Sequence, residues 1–282
     1  MSLYEPNWDS IQPQATELFY AGSLRLIFIR IPKTGSSSIR AVLENIGYKV
    51  DNNHFHQDYA MWKPYADPKT SLTFTVVRNP FDMLTSLFFD PGHPDRGEIG
   101  WRGIRVKDRD IMGIPRPSNY HTFESFVESW CSTTPPRYRD YILDPMWNRS
   151  LFTQLFPLNP YPYSNILKIY FPDDFPPDNI HIAPDEEYTP PNVVIRYEHL
   201  HAGLTKLLEK IGVKDIEIPH TNKTTDKTLL YQQYYTPHLR QLVETKHAAD
   251  LEYLNYDFNG PTDTSIFVNP EQLIQMNQAL NY

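Results

Sequence analysis

The chain has 282 residues, 40% hydrophobic and 21% charged, which gives ample material for a folded core and excludes a disordered chain. A formal net charge of -8 argues against a general nucleic-acid binder, which carries a basic excess, but leaves room for a basic pocket around one small anion. Cys131 is the only cysteine, so an intrachain disulfide and a cysteine-rich metal site are both excluded, and the residue reads as a buried, inert thiol. Residues 1–14 lack a basic region followed by an apolar run, and no stretch approaches the roughly 18 to 20 apolar residues of a membrane span. The expectation is a cytoplasmic protein with no membrane span.

Residues 25–31 are an apolar run rich in β-formers that ends at Pro32, as a buried strand would. A helix is expected from about Ser37 to Ile46, with Ile39, Val42, Leu43 and Ile46 on one face and Gly47 as its stop. A second strand, Leu72 to Val77, leads into Asn79-Pro80, an N-cap and first-turn pair that opens a helix through Phe89. Another helix follows Thr122, with Phe123, Phe126, Val127 and Trp130 on one face. Residues 131–192 hold 12 of the 26 prolines, so irregular structure packed by aromatics is expected there. Val193 to Arg196 reads as a strand, followed by a helix carrying Leu204, Leu207, Leu208 and Ile211 that ends at Gly212. Thr236-Pro237 opens one long helix to about Tyr253, and the tail from Gly260 has room for one more. There is no internal repeat. Strands alternating with helices predict an α/β fold with a mostly parallel central sheet flanked by helices. One domain is expected over 1–282, with its core at about 24–258, a proline-rich insertion at 131–192 and a tail at 260–282.

Two segments carry chemistry. Lys33-Thr34-Gly35-Ser36-Ser37-Ser38 lies between a strand and a helix, where unpaired N–H groups and the helix dipole favour an anion. Gly35 allows close approach, the hydroxyls add donors, and Lys33 adds a mobile positive charge. The order is not that of a Walker A loop, because the lysine precedes the only glycine. The alternative is a strand end followed by a serine-rich helix start. In the second segment, Arg78 stands at the carboxyl end of a strand and Ser86 two turns into the next helix. A guanidinium fork with a hydroxyl can clamp a phosphate. An arginine simply paired with Asp82 explains the same residues equally well.

Together, the two segments resemble the sulfotransferase superfamily, in particular its carbohydrate-modifying branch. The resemblance extends to Arg196-Tyr197-Glu198-His199-Leu200 and to Asn222-Lys223-Thr224 ahead of Tyr234-Tyr235-Thr236-Pro237, and it covers roughly residues 24–258. It implies a P-loop-like sulfotransferase fold. The donor would be 3′-phosphoadenosine 5′-phosphosulfate (PAPS), with the desulfated nucleotide PAP as product. Residues 33–38 would hold the 5′-phosphosulfate, Arg78 and Ser86 the 3′-phosphate, and Asn222, Lys223 and Thr224 a C-terminal cofactor loop. It also implies an acceptor hydroxyl, on a saccharide or other small alcohol, and no metal. In similar enzymes a histidine or glutamate between the two phosphate segments is the general base. His56 is the first candidate and His54 the second, with Asp51 and Asp58 nearby. Lys33 would stabilise charge on the leaving oxygen. Asp173-Asp174 and Asp185-Glu186-Glu187 read as solvated loops. The basic stretch 95–116, with Arg96, Arg102, Arg105, Lys107, Arg109 and Arg116, reads either as an acceptor loop or as a solvated insertion. The competing functions are a P-loop kinase or ATPase, and a catalytically silent PAPS-fold binding protein.

Overall fold

Three short runs of β-forming residues pair side by side and set the frame of the molecule. The structure, a computed structural model, describes residues 3–8, 24–29, 31, 33–48, 71–89, 92–93, 98–99, 122–132, 191–214, 216–218 and 229–280. Strand β1 is Arg25–Ile29, β2 is Ser71–Val77, and the third strand of this sheet is Val193–Arg196. β2 lies in the middle and pairs in parallel with both neighbours, Phe28 opposite Phe74 and Val77 opposite Arg196. All three strands therefore end at the same edge. The α/β reading with a parallel sheet is what the structure shows.

Alternation along the strands assigns the two faces. Leu72, Phe74 and Val76 of β2, with Val193 and Ile195, pack into one core with Ile39, Val42, Leu43 and Leu204. Val77 and Val194 point to the other face, against Leu254, Tyr256, Val268 and Leu273. β2 is buried at every position after Ser71, as a strand covered on both faces should be.

The helix after β1, α1, is Ser36–Asn45 and closes through the Tyr48 N–H on the Leu43 carbonyl, with Gly47 at φ 91°. Helix α2, Pro80–Phe88, starts as expected: the Asn79 side chain accepts from the Phe81 N–H and Pro80 fills the first turn. Gly92–His93 (β3) and Glu98–Ile99 (β4) form a small antiparallel pair. Helix α3 is Phe123–Ser132. Its Phe123, Phe126 and Val127 join Phe81, Leu84, Leu87 and Phe88 of α2 in a third cluster, with Cys131 packed beside them. Burial pushes the Cys131 thiol up to about 12, so the thiolate is scarce at neutral pH.

After the third sheet strand, now β5, a single 3-10 turn at Tyr197–His199 leads into α4, Leu200–Lys210. α4 sits close on β5: a Cβ on Gly203 would come within 2.5 Å of Ile195. A second 3-10 turn, Tyr231–Tyr234, precedes the segment expected as one long helix. That segment is two helices, α5 (Pro237–Lys246) and α6 (Ala248–Tyr253), bent at His247, where φ is -108° and ψ 26°. The bend keeps its backbone bonds, His247 N–H to Val243 and Leu251 N–H to the His247 carbonyl. The buried imidazole meets the equally buried Asp250 at the corner, Nδ1 to Oδ2 3.1 Å. A hairpin, β6 (Tyr256–Asp257) with β7 (Gly260–Pro261), and the helix α7 (Pro270–Leu280) complete the chain.

The tail is more than an appendage. Phe267 bridges to Ile195, and Phe267, Val268 and Leu273 are all buried, so the core runs past the expected limit near residue 258. Among the described residues, no helix is long and apolar enough to cross a membrane.

Candidate functional site

The loop after β1 is bent twice into the left-handed region, at Lys33 (φ 62°) and Gly35 (φ 84°). Thr34 is fully buried and gives its hydroxyl proton to the Ile31 carbonyl at 2.8 Å, which fixes the turn. Gly35 is required twice over. It carries the positive φ, and a Cβ there would lie 2.8 Å from Leu200 and 3.2 Å from the Tyr197 ring. The first intrahelical bond of α1 runs from the Ile39 N–H to the Gly35 carbonyl. Ser36, Ser37 and Ser38 stand ahead of it, at the positive end of the dipole. Ser36 is buried and the other two are half-buried.

Arg78 leaves the carboxyl end of β2 and reaches both segments at once. Its Nη1 donates to the Lys33 carbonyl at 2.6 Å, while Nε and Nη2 both donate to Oδ2 of Asp82, at 2.9 and 2.7 Å. The guanidinium lies over the Tyr197 ring, 4.0 Å from its centroid, and the residue is only 6% exposed. The pairing with Asp82 is therefore real, and so is the contact with the first loop: one arginine joins them. Ser86 is buried one turn beyond Asp82, so it shares that side of α2.

The residues that hold this arrangement were not singled out as site residues from the sequence. They are the consecutive positions 196–200. Arg196 is buried, with Nη1 on the Leu254 carbonyl at 2.6 Å and Nη2 on Asp263 at 3.2 Å. Tyr197 lies under Arg78, and Leu200 abuts Gly35. Glu198 accepts from the Asn79 N–H at 3.1 Å and from the Tyr256 hydroxyl at 2.8 Å. Burial raises the Tyr256 hydroxyl well above its ordinary pKa, and the Glu198 carboxylate adds to it, so the phenol stays a neutral donor. Tyr231 is raised chiefly by burial, with Asp82, Glu198 and Asp257 adding and Arg78 opposing. The sequence signals for this brace were its place directly after a buried strand and the resemblance noted at residues 196–200, neither of which assigned it a role at the site.

Lys33, Thr34, Gly35, Ser36, Ser37, Ser38, Arg78 and Ser86 thus belong to two neighbouring segments at one edge of the sheet. What gathers at that edge is a helix N-terminus, a lysine and an arginine beside several hydroxyls, groups whose chemistry favours an anion. His54 and His56, Asp51 and Asp58, the basic residues Arg96, Arg102, Arg105, Lys107, Arg109 and Arg116, and Asn222, Lys223 and Thr224 lie outside the described residues. Among the described residues, no group of three His, Cys, Asp or Glu side chains could hold a metal ion.

A family model described as Sulfotransferase family matches residues 16–257. No curated protein and no solved structure matches the chain.

Proposed function

Since the chain belongs to the sulfotransferase family, we propose that it moves a sulfuryl group from PAPS to an acceptor hydroxyl on a carbohydrate or other small alcohol. The observation that carries this reading is the 2.6 Å bond from Arg78 to the Lys33 carbonyl, which sets both anion-binding segments side by side at the carboxyl edge of the sheet. Residues 33–38 hold the 5′-phosphosulfate, Arg78 and Ser86 the 3′-phosphate, and Asn222, Lys223 and Thr224 close over the nucleotide.

Transfer of this kind is mostly positioning and charge stabilisation around an in-line displacement. The bond from sulfur to the 5′-phosphate oxygen breaks as the bond from sulfur to the acceptor oxygen forms. His56, with His54 as second candidate, takes the acceptor proton, and Lys33 and the α1 N-terminus balance charge on the departing PAP.

The test is PAP against ATP in thermal unfolding, followed by turnover of His56→Ala. A ligand that binds only the folded state raises the midpoint, so PAP should raise it and ATP should not. Arg78→Ala should lose most of the PAP shift. His56→Ala should keep the shift and lose roughly a hundredfold in rate, the scale of a missing general base. A shift with ATP alone would favour a kinase or ATPase. A PAP shift with no turnover of any acceptor would favour a silent binding protein.

A further inference from the structure

Helix α2 begins with a side-chain N-cap but no capping box. The Asn79 side chain accepts from the Phe81 N–H, and in the full motif the third helical residue reaches back to the N–H of the cap. That third residue is Asp82, whose carboxylate is turned to Arg78 instead. The reciprocal acceptor comes from another element, 119 positions along the chain: Glu198 Oε1 takes the Asn79 N–H at 3.1 Å. The other oxygen of Glu198 takes the Tyr256 hydroxyl at 2.8 Å, and Asn79 Nδ2 donates to the neighbouring Asp257 carbonyl at 2.7 Å. Asn79 is 1% exposed, so water is no substitute for a lost partner.

We infer that Glu198 is a positioning residue for the anion site: it caps α2 from outside and so leaves Asp82 to aim Arg78. Without it, the buried Asn79 N–H needs another acceptor, and Asp82 stands at the position that a capping box would use. Asp82 turned to the cap releases Arg78 from its present aim. The inference rests on Arg78 being a phosphate ligand, as proposed above.

The sign of the effect separates positioning from plain electrostatics. A carboxylate near an anion site repels the anion, so removing its charge alone should tighten PAP binding. Loss of positioning does the reverse. Glu198→Gln keeps an oxygen for the Asn79 N–H and an N–H for the Tyr256 oxygen, whose own proton can turn to the Val77 carbonyl 3.5 Å away. Glu198→Ala removes both acceptors. Glu198→Asp keeps the charge but withdraws it by one methylene.

The experiment is PAP affinity by calorimetry on the full chain and its three variants, well below each unliganded unfolding midpoint. Glu198→Ala and Glu198→Asp should each weaken PAP by about tenfold or more, the scale of a lost hydrogen bond to a charged group. Glu198→Gln should bind as wild type or tighter. A merely structural role would lower the unliganded midpoints and leave affinity unmoved. Glu198→Ala binding as well as wild type overturns the inference, as does Glu198→Gln binding as poorly as Glu198→Ala. Where the alanine variant does not fold, the aspartate variant decides: affinity equal to wild type overturns the inference. Wild type that fails to bind PAP overturns the parent reading instead.

Discussion

Lys33 does two separable things. Its carbonyl anchors Arg78, and its side chain carries the positive charge that the proposed function sets against the departing PAP. It does so at φ 62°, where a residue with a Cβ costs about 1–2 kcal/mol over glycine. Strain of this kind is commonly kept where function needs the side chain. Alanine at this position has the same carbonyl and much the same backbone cost, so it deletes the charge and little else. Lys33→Ala should therefore lower kcat by about a hundredfold, the scale of one lost transition-state charge contact, while PAP affinity falls far less. Single-turnover rates set beside calorimetric PAP affinities measure both quantities. Equal losses would make the ammonium an ordinary ground-state contact.

At the scale of elements, the bend between α5 and α6 makes a sharp prediction. His247 and Asp250 are both fully buried, and His247 Nε2 has no hydrogen-bond partner among the described residues. Removing one member of a buried pair strands the other, so Asp250→Ala should cost about 3 kcal/mol. For a protein of this size that is a fall of roughly 5 °C in the unfolding midpoint; an unmoved midpoint would mean the pair adds nothing. This bend was illegible in the sequence, because helical periodicity runs through it and only the tertiary contact marks the corner. β2 and α2 were legible for the opposite reason: a continuous apolar run and an Asn-Pro start are local signals. The site divides in the same way. Lys33 to Ser38 and Arg78 stood out as local patterns, a strand end followed by a serine-rich helix start and an arginine before Asn-Pro, although those patterns alone left the Asp82 pairing equally open. The brace did not, since Glu198 meets Asn79 across 119 positions and Tyr256 across 58, and no local pattern records such pairs.

For the whole molecule, the question is what closes the β5 side of the sheet. The backbone of the tail does: Arg196 N–H donates to the Ile266 carbonyl and Val268 N–H to the Val194 carbonyl, each at 2.9 Å. An uncovered edge would offer unpaired groups to other chains. The same segment feeds both cores, Phe267 on one face of the sheet and Val268 with Leu273 on the other. The N-terminal residues lie over it, with Trp8 edge-on to Phe267 at 5.6 Å and the Tyr4 N–H on Ser265. Asp263 adds the carboxylate that meets the buried Arg196, the first residue of the brace that holds Arg78. Stability and site geometry therefore meet on one strand, and two variants pull them apart. Phe267→Ala empties a fully buried position that supplies no side-chain hydrogen bond to the brace and should cost about 3–5 kcal/mol. It should lower the midpoint while the added shift from PAP is retained. Deleting residues 262–282 removes the edge cover, the core side chains and the Arg196 partner together. That chain should aggregate, or unfold without a cooperative transition, and show no PAP shift. A soluble truncated chain with the wild-type midpoint would show that the tail is dispensable and that β5 holds its own edge.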